Sequence, residues 1–213
     1  MSSDPEALPD ALPVLDLLRA ALDTHSEGAD PALVASYGYV LEADQAVRRL
    51  RHQVVELERV AYLDPLTGLL NRRAWQEAVR REQARCTRQP RPVAVVVIDL
   101  DGLKQLNDQH GHLAGDVLLR LTGGLLREVL RPSDVVARIG GDEFAALLVD
   151  VTDQDPEVVA GRLQHDLVVE GVPASVGVAI DRSGDQIEAT FRAADDAMYQ
   201  RKAAGRGQGP TWG

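Results

Sequence analysis

Two adjacent glycines followed at once by two carboxylates, Gly140-Gly141-Asp142-Glu143, lie between Val135-Val136-Ala137 and Ala145-Ala146-Leu147-Leu148-Val149. Both flanks are short, apolar and partly β-branched, so they read as the strands of a hairpin. Gly140 and Gly141 are expected to make its sharp turn by taking positive φ, and their bare backbone would let a large ligand come close. Alone, the stretch reads as an ordinary tight turn with two solvated acids. A second acidic position changes its meaning. Val93 to Ile98 is an unbroken apolar, mostly β-branched run, the pattern of a strand buried on both faces, and Asp99-Leu100-Asp101 ends it. Sites in α/β sheets gather at such carboxyl ends. If the two strands are neighbours, Asp99 and Asp142 come side by side. Two carboxylates with a backbone carbonyl suit a hard divalent ion such as Mg²⁺, with substrate phosphates completing the shell. Paired ions of this kind activate an attacking oxygen and neutralise a leaving pyrophosphate. Lys104, Lys202 and Arg206 are candidate phosphate partners, and Lys202 and Arg206, four apart, share a helix face if the helix extends that far. His110 and His112, with one residue between them and without cysteine or HExxH context, give only a poor zinc signal.

The frame around these residues is that of a soluble globular chain. Its 213 residues can bury one sizeable core plus an appendage. A net charge of −10 argues against a general nucleic-acid binder, which would need a basic face. Cys86 is the lone cysteine, which excludes an internal disulfide and fits a reducing compartment. No apolar run approaches the ~20 residues of a membrane span. Met1 to Asp10 is acidic and proline-containing, without a basic flank or apolar stretch of a signal peptide. A cytoplasmic location without membrane or nucleic-acid partners is the expectation.

The elements that must position the site follow from periodicity. Residues 1–62 read as a helical N-terminal segment. Val14, Leu15, Leu18, Ala21 and Leu22 recur at helical spacing, ending near Gly28 and Pro31. Val40, Ala43, Val47, Leu50, Val54, Leu57 and Ala61 then alternate by three and four, which predicts a coiled-coil dimerisation helix over about 40–61. A single amphipathic helix packed on its own domain would show the same pattern. Residues 63–206 mix strands and helices. Asp64 to Arg73 is a turn-rich joint, and Asn71 can cap a helix running through Trp75, Ala78 and Val79 toward Cys86. Leu103 to Leu130 is largely helical, broken around Gly111 and Gly115. Asp155 can cap a helix with Pro156 in its first turn, running to Val169. Val172 to Ile180 reads as a strand, Ile187 to Ala204 as a last helix, and 207–213 as a loose tail. The predicted fold is α/β of the α+β kind, a ferredoxin-like or palm-type mixed and mainly antiparallel sheet flanked by helices.

Arg138 to Phe144, with Asp99-Leu100-Asp101-Gly102-Leu103-Lys104-Gln105-Leu106-Asn107-Asp108, resembles the GGDEF family of diguanylate cyclases. Asp64 to Arg73 is similar to the family's entry motif, Ser175 to Ala179 to its closing strand, and Ala194 to Arg206 to its last helix and following turn. Five motifs in the right order cover about residues 62–206, which is a specific match. The resemblance implies that two GTP condense into cyclic di-GMP with loss of two pyrophosphates, each GTP held by one half of a homodimer. It implies two Mg²⁺ or Mn²⁺ ions per half-site on Asp99, Asp142 and the Leu100 carbonyl, with Glu143 beside the attacking 3′-hydroxyl. Whether Glu143 or Asp142 is the base stays open. Asn107 and Asp116 would read the guanine edge, with His112 lining that pocket, while Lys104, Lys202 and Arg206 hold the triphosphate over the Gly140-Gly141 turn. Leu103 stands where the family usually has phenylalanine. Arg131-Pro132-Ser133-Asp134 resembles the inhibitory RxxD site for the product, with Arg162 contributing from a second surface; the same four residues also read as a helix-ending turn. A regulatory protein partner could act through the N-terminal helix. The other class of function is a catalytically silent relative that only binds GTP or cyclic di-GMP, but every motif carboxylate and glycine is in place here. A phosphodiesterase would need a further domain that this sequence does not carry.

Overall fold

The computed structural model describes residues 31–151 and 156–205. The helix expected around Val14 to Leu22, the Asp155 cap, Arg206 and the tail lie outside them. The chain divides after Leu57 into two units. The first carries most of α1 (Pro31–Tyr62), an unbroken 32-residue helix. Val40, Val47, Leu50, Val54 and Leu57, five of the seven seam positions, are between 45 and 69 % exposed.

The second unit, Glu58 to Gly213, is built on a four-stranded sheet. Its elements run α2 (Arg72–Arg88), β1 (Val93–Leu100), α3 (Leu103–His110), α4 (His112–Val129), β2 (Val135–Arg138), β3 (Glu143–Val149), α5 (Pro156–Val169), β4 (Ala174–Asp181) and α6 (Ile187–Gly205). The strand order is β2-β3-β1-β4 and every pairing is antiparallel, the split arrangement of a ferredoxin-like sheet. β1 is buried along its whole length, as its β-branched run requires. Its side chains alternate between two cores. Val93, Val95 and Val97 pack with Trp75, Val79 and Cys86 of α2 and Ile187, Ala194 and Met198 of α6. Ala94, Val96, Ile98 and Leu100 pack with Leu103 and Leu106 of α3, Leu118, Leu119 and Leu126 of α4, and Val159, Leu163 and Leu167 of α5. Phe144 of β3 is fully buried in that second core, a contribution of about 1.5–3 kcal/mol by area. Gly177 lets α6 lie close on β4: a Cβ there would meet the Ala194 carbonyl oxygen at 2.1 Å.

Three local expectations need correcting. Gly140 and Gly141 are not in the left-handed region; the positive-φ glycines are elsewhere, among them Gly68, Gly102 and Gly111. The helical stretch 103–130 breaks only at Gly111, whose φ is 81°, while Gly115 is buried inside α4. A Cβ on Gly115 would meet Asn107 Oδ1 at 2.1 Å, so the glycine serves the close approach of α3 and α4 rather than a break. The closing strand starts at Ala174, two residues later than its apolar run suggests.

Candidate active site

Asp99, near the carboxyl end of β1, is 7 % exposed. The sheet register sets Glu143 of β3 opposite it on one side and Ser175 of β4 on the other. Residues directly opposite across antiparallel strands share a face, so these three point toward α2 and α6. Asp142 is one step further, at the turn, and its carbonyl accepts from the Leu100 N–H at 3.1 Å. Glu143 is thus the residue opposite Asp99 in the register, and Asp142 follows next to it, near enough for its charge to act on Asp99. Lys202 of α6 is ion-paired with Asp99. Burial pushes the Asp99 carboxyl above its usual range; Lys202 opposes this without offsetting it, and the charges of Asp142 and Asp101 add to the rise. Sequence reasoning left Asp101 and Ser175 without a joint role. The Ser175 hydroxyl donates to both Asp101 carboxylate oxygens, at 3.1 and 3.0 Å, and the Asp101 N–H donates to the Pro173 carbonyl at 2.9 Å.

The hairpin turn closes by two bonds, from the N–H groups of Ile139 and Gly140 to the Glu143 carbonyl at 2.9 and 3.2 Å. A Cβ on Gly140 would lie 2.3 Å from the Glu143 carboxylate, whereas one on Gly141 would meet open space. At Gly140 it is the room beside the Glu143 carboxylate, and not positive φ, that favours the missing side chain. Glu143 also lines a cavity of about 530 Å³ between α2 and α6, with Arg72, Trp75, Phe191 and Asp195 among its walls.

A second cluster forms where α3 meets α4. Asn107 Oδ1 is buried with no hydrogen-bond partner. An unpaired buried acceptor is costly unless a ligand completes it. Asp116 follows Gly115 in α4, is partly exposed and lies 3.9 Å from Arg120. His112 and Lys104 are exposed at the starts of α4 and α3. The start of α3 carries no side-chain cap, Gly102 occupying that position at φ 75°. Leu103 packs in the core beside Leu106, so the departure from phenylalanine is accommodated there.

No group of three or more His, Cys, Asp or Glu converges into a preformed metal site among the described residues. The donor chemistry of Asp99, Asp142 and a backbone carbonyl nonetheless fits a hard divalent ion that keeps water and phosphate oxygens in its shell. A cation already sits on Asp99, the Lys202 ammonium.

Residues 61–208 match the family described as diguanylate cyclase, GGDEF domain. The chain belongs to the GGDEF family. It is 34 % identical over 191 residues to the diguanylate cyclase DgcP of Pseudomonas aeruginosa, covering 85 % of this chain and 28 % of that one. It is 37 % identical over 169 residues to the cyclic di-GMP phosphodiesterase NbdA of the same organism, covering 75 % of this chain and 22 % of the other. The chain therefore spans less than a third of either relative. Among solved structures, the coiled coil and GGDEF domain of DgcB from Caulobacter crescentus, in complex with c-di-GMP, superposes with a TM-score of 0.71 at 26 % identity. That likeness covers 80 % of this chain and 96 % of the other.

Within this GGDEF domain, Arg131 and Asp134 form a turn between α4 and β2. The Arg131 N–H donates to the Asp134 carboxylate at 3.0 Å, and Asp134 N–H returns to the Arg131 carbonyl at 2.9 Å. The other Asp134 oxygen accepts from Val149 N–H at 3.4 Å. Arg131 is exposed, as is Arg162 on α5. No described helix is long and apolar enough to cross a membrane.

Proposed function

We propose that the domain spanning residues 63–206 is a diguanylate cyclase, converting two GTP into cyclic di-GMP and two pyrophosphates. The observation that carries this reading is the buried Asp99 set across the sheet from the Asp142-Glu143 hairpin. Asp99, Asp142 and the Leu100 carbonyl would hold two Mg²⁺ or Mn²⁺ ions. When bound, these would polarise the reacting phosphate and neutralise the pyrophosphate as it departs. The Asp99–Lys202 pair supports the reading. Lys202, paired with Asp99, would meet triphosphate oxygens entering there, with Lys104 and Arg206 as the further candidate phosphate partners.

Glu143, one step from Asp142 and opposite Asp99, would receive the proton of an incoming 3′-hydroxyl, with Asp142 as the alternative base. The oxygen then bonds to the α-phosphorus of the GTP on the facing half, breaking its bond to pyrophosphate. A second, equivalent transfer closes the ring. The orphaned Asn107 acceptor and the Asp116 carboxylate are suited to guanine N–H groups, with His112 at the pocket edge. Two halves must meet, and the exposed seam of α1 supports a homodimer, with a regulatory partner as a further user of that helix. The silent-relative alternative has no observation in its favour, since each motif carboxylate and glycine is retained.

Incubation of the full chain with GTP and Mg²⁺ is expected to yield cyclic di-GMP. In Asp142→Ala turnover is expected to fall by roughly 10²-fold or more with circular dichroism unchanged, since hard ligands are lost without core contacts. Wild-type rates in that variant would overturn the assignment.

A further inference from the structure

The turn carrying Asp142 is held by the side chain of Arg138, the last residue of β2, which ties it to Asp64 outside the hairpin. Its guanidinium donates to the Gly141 carbonyl through Nε at 3.2 Å and Nη2 at 2.6 Å. Through Nη1 it also reaches both carboxylate oxygens of Asp64 at 3.3 Å. Both partners are mostly buried, with 14 and 18 % of their side chains exposed. Asp64 is itself pinned, accepting from the Thr67 N–H at 2.9 Å and the Thr67 hydroxyl at 2.7 Å. The backbone runs parallel to this link: Leu70 N–H donates to the Val136 carbonyl at 3.3 Å, and Arg138 N–H to the Leu70 carbonyl at 2.8 Å.

The same segment is fastened to the end of α1. The Asn71 side chain donates to the Ala61 carbonyl at 2.9 Å and accepts from Ala74 N–H at 3.0 Å, so one residue joins the last turn of α1 to the first of α2. Asn71 N–H donates to the Tyr62 carbonyl at 2.8 Å. All these residues belong to the unit from Glu58 onward. Hydrogen bonds thus run without a gap from the final carbonyls of α1, through residues 64–71, to the carbonyl of Gly141. Asp142 is the next residue. The other bonds of the turn close it on itself or on β1.

We propose that Arg138 is a positioning residue, which fixes Asp142 relative to the 64–71 segment so that movement of the end of α1 is felt at the catalytic turn. The proposal rests on the cyclase reading for its consequence, but not for its geometry. Arginine is the residue for this task, because a planar fork can serve a carbonyl and a carboxylate at once; lysine, a single point of charge, cannot hold both. The link also gives a partner bound to α1 a route to the chemistry without touching the nucleotide.

The test uses the full chain with Arg138→Lys and Asp64→Asn. Amide exchange at Gly140 to Glu143 is expected to rise about ten-fold in Arg138→Lys, as a local opening loses its anchor. In Asp64→Asn, which does not touch the turn, exchange at the same amides is expected to rise in the same sense. That is the signature of transmission, and a purely local role for the ion pair would not produce it. Mn²⁺ binding without nucleotide, followed by calorimetry, is expected to weaken several-fold in both. At saturating GTP, kcat is expected to fall at least about ten-fold with KM within about two-fold, because misplacement of a reacting group acts on turnover. Wild-type exchange at the turn in Asp64→Asn, or unchanged Mn²⁺ affinity in Arg138→Lys, overturns the proposal. If the wild-type chain makes no cyclic di-GMP, the cyclase reading fails, while the exchange and metal arms still decide the coupling.

Discussion

Asn107 and Gly115 depend on each other. The Asn107 side chain occupies the volume a Cβ on residue 115 would need, with Oδ1 only 2.1 Å from that position. Gly115→Ala would push a flexible side chain rather than backbone, so the fold is expected to survive and the α3–α4 pocket to change. If that pocket reads guanine, KM for GTP rises about ten-fold, or ~1.4 kcal/mol, with a smaller change in kcat. Steady-state kinetics check this, and an unchanged KM would separate the pocket from the substrate. Asp64 gives a pH prediction. Burial alone would raise its carboxyl, but the Thr67 hydrogen bonds and Arg138 overcome that and hold it below its usual range. A depressed folded value means the unfolded chain binds the proton more tightly. The stabilisation is therefore complete above the ordinary carboxylate value of about 3.9 and is lost as pH falls through the lower folded value. Asp64→Asn is expected to cost about 1–3 kcal/mol at neutral pH, where a mostly buried charged hydrogen bond is removed. Urea unfolding at pH 7 and near pH 3 should show that gap closing in acid.

Among the elements, α1 stands apart because its apolar seam is exposed among the described residues. Leu50 and Leu57 are 60 and 69 % exposed. Exposed leucines at heptad spacing suit a facing helix, whereas a helix packed on its own domain would hide them. Leu50→Glu with Leu57→Glu is expected to shift the chain toward monomer in analytical ultracentrifugation, and to make activity per chain depend more steeply on concentration. A doubly substituted chain that stays dimeric and fully active would assign the seam to another partner. β1 and the β2–β3 hairpin have a different dependence. Their cores fix the register, and the register in turn fixes which carboxylate faces Asp99. A polar replacement at Ala145 or Val97 would damage the site through the sheet, with no contact to the nucleotide at all.

At the scale of the molecule, two exposed arginines lie on separate elements, Arg131 ahead of β2 and Arg162 on α5. Arginine can fork onto phosphate or the guanine Hoogsteen edge. Asp134 spends its oxygens on two backbone amides, that of Arg131 in the turn and that of Val149 at the end of β3, so in this arrangement Arg131 is the better placed to meet a ligand. Arg131→Ala is expected to weaken cyclic di-GMP binding about ten-fold or more, a loss of at least ~1.4 kcal/mol, and to raise the amount accumulated at long times with little change in initial rate. Equal product affinity in wild type and variant, by calorimetry, would refute an inhibitory site here.

The sequence by itself determined the composition of the site and the class of fold. Val93 to Ile98 has the pattern of a strand buried on both faces, Asn71 does cap α2, and the order of strands and helices suggested a ferredoxin-like, mainly antiparallel sheet, which proves antiparallel throughout. These are local signals, carried by periodicity and by the chemistry of single residues. What only the tertiary structure decided was pairing. Glu143, not Asp142, lies opposite Asp99, because register is set by side chains several residues away. Lys202, 103 residues from Asp99 in sequence, reaches it because α6 packs on β1. Gly115 reads as a helix breaker until α3 is seen against it, and Gly140-Gly141 as a positive-φ turn until the Glu143 carboxylate is seen beside it. Arg138 and Asp64 sit in two recognisable motifs 74 residues apart, and no period or spacing connects them. Burial makes their charges need each other, and burial is a property of the folded chain alone.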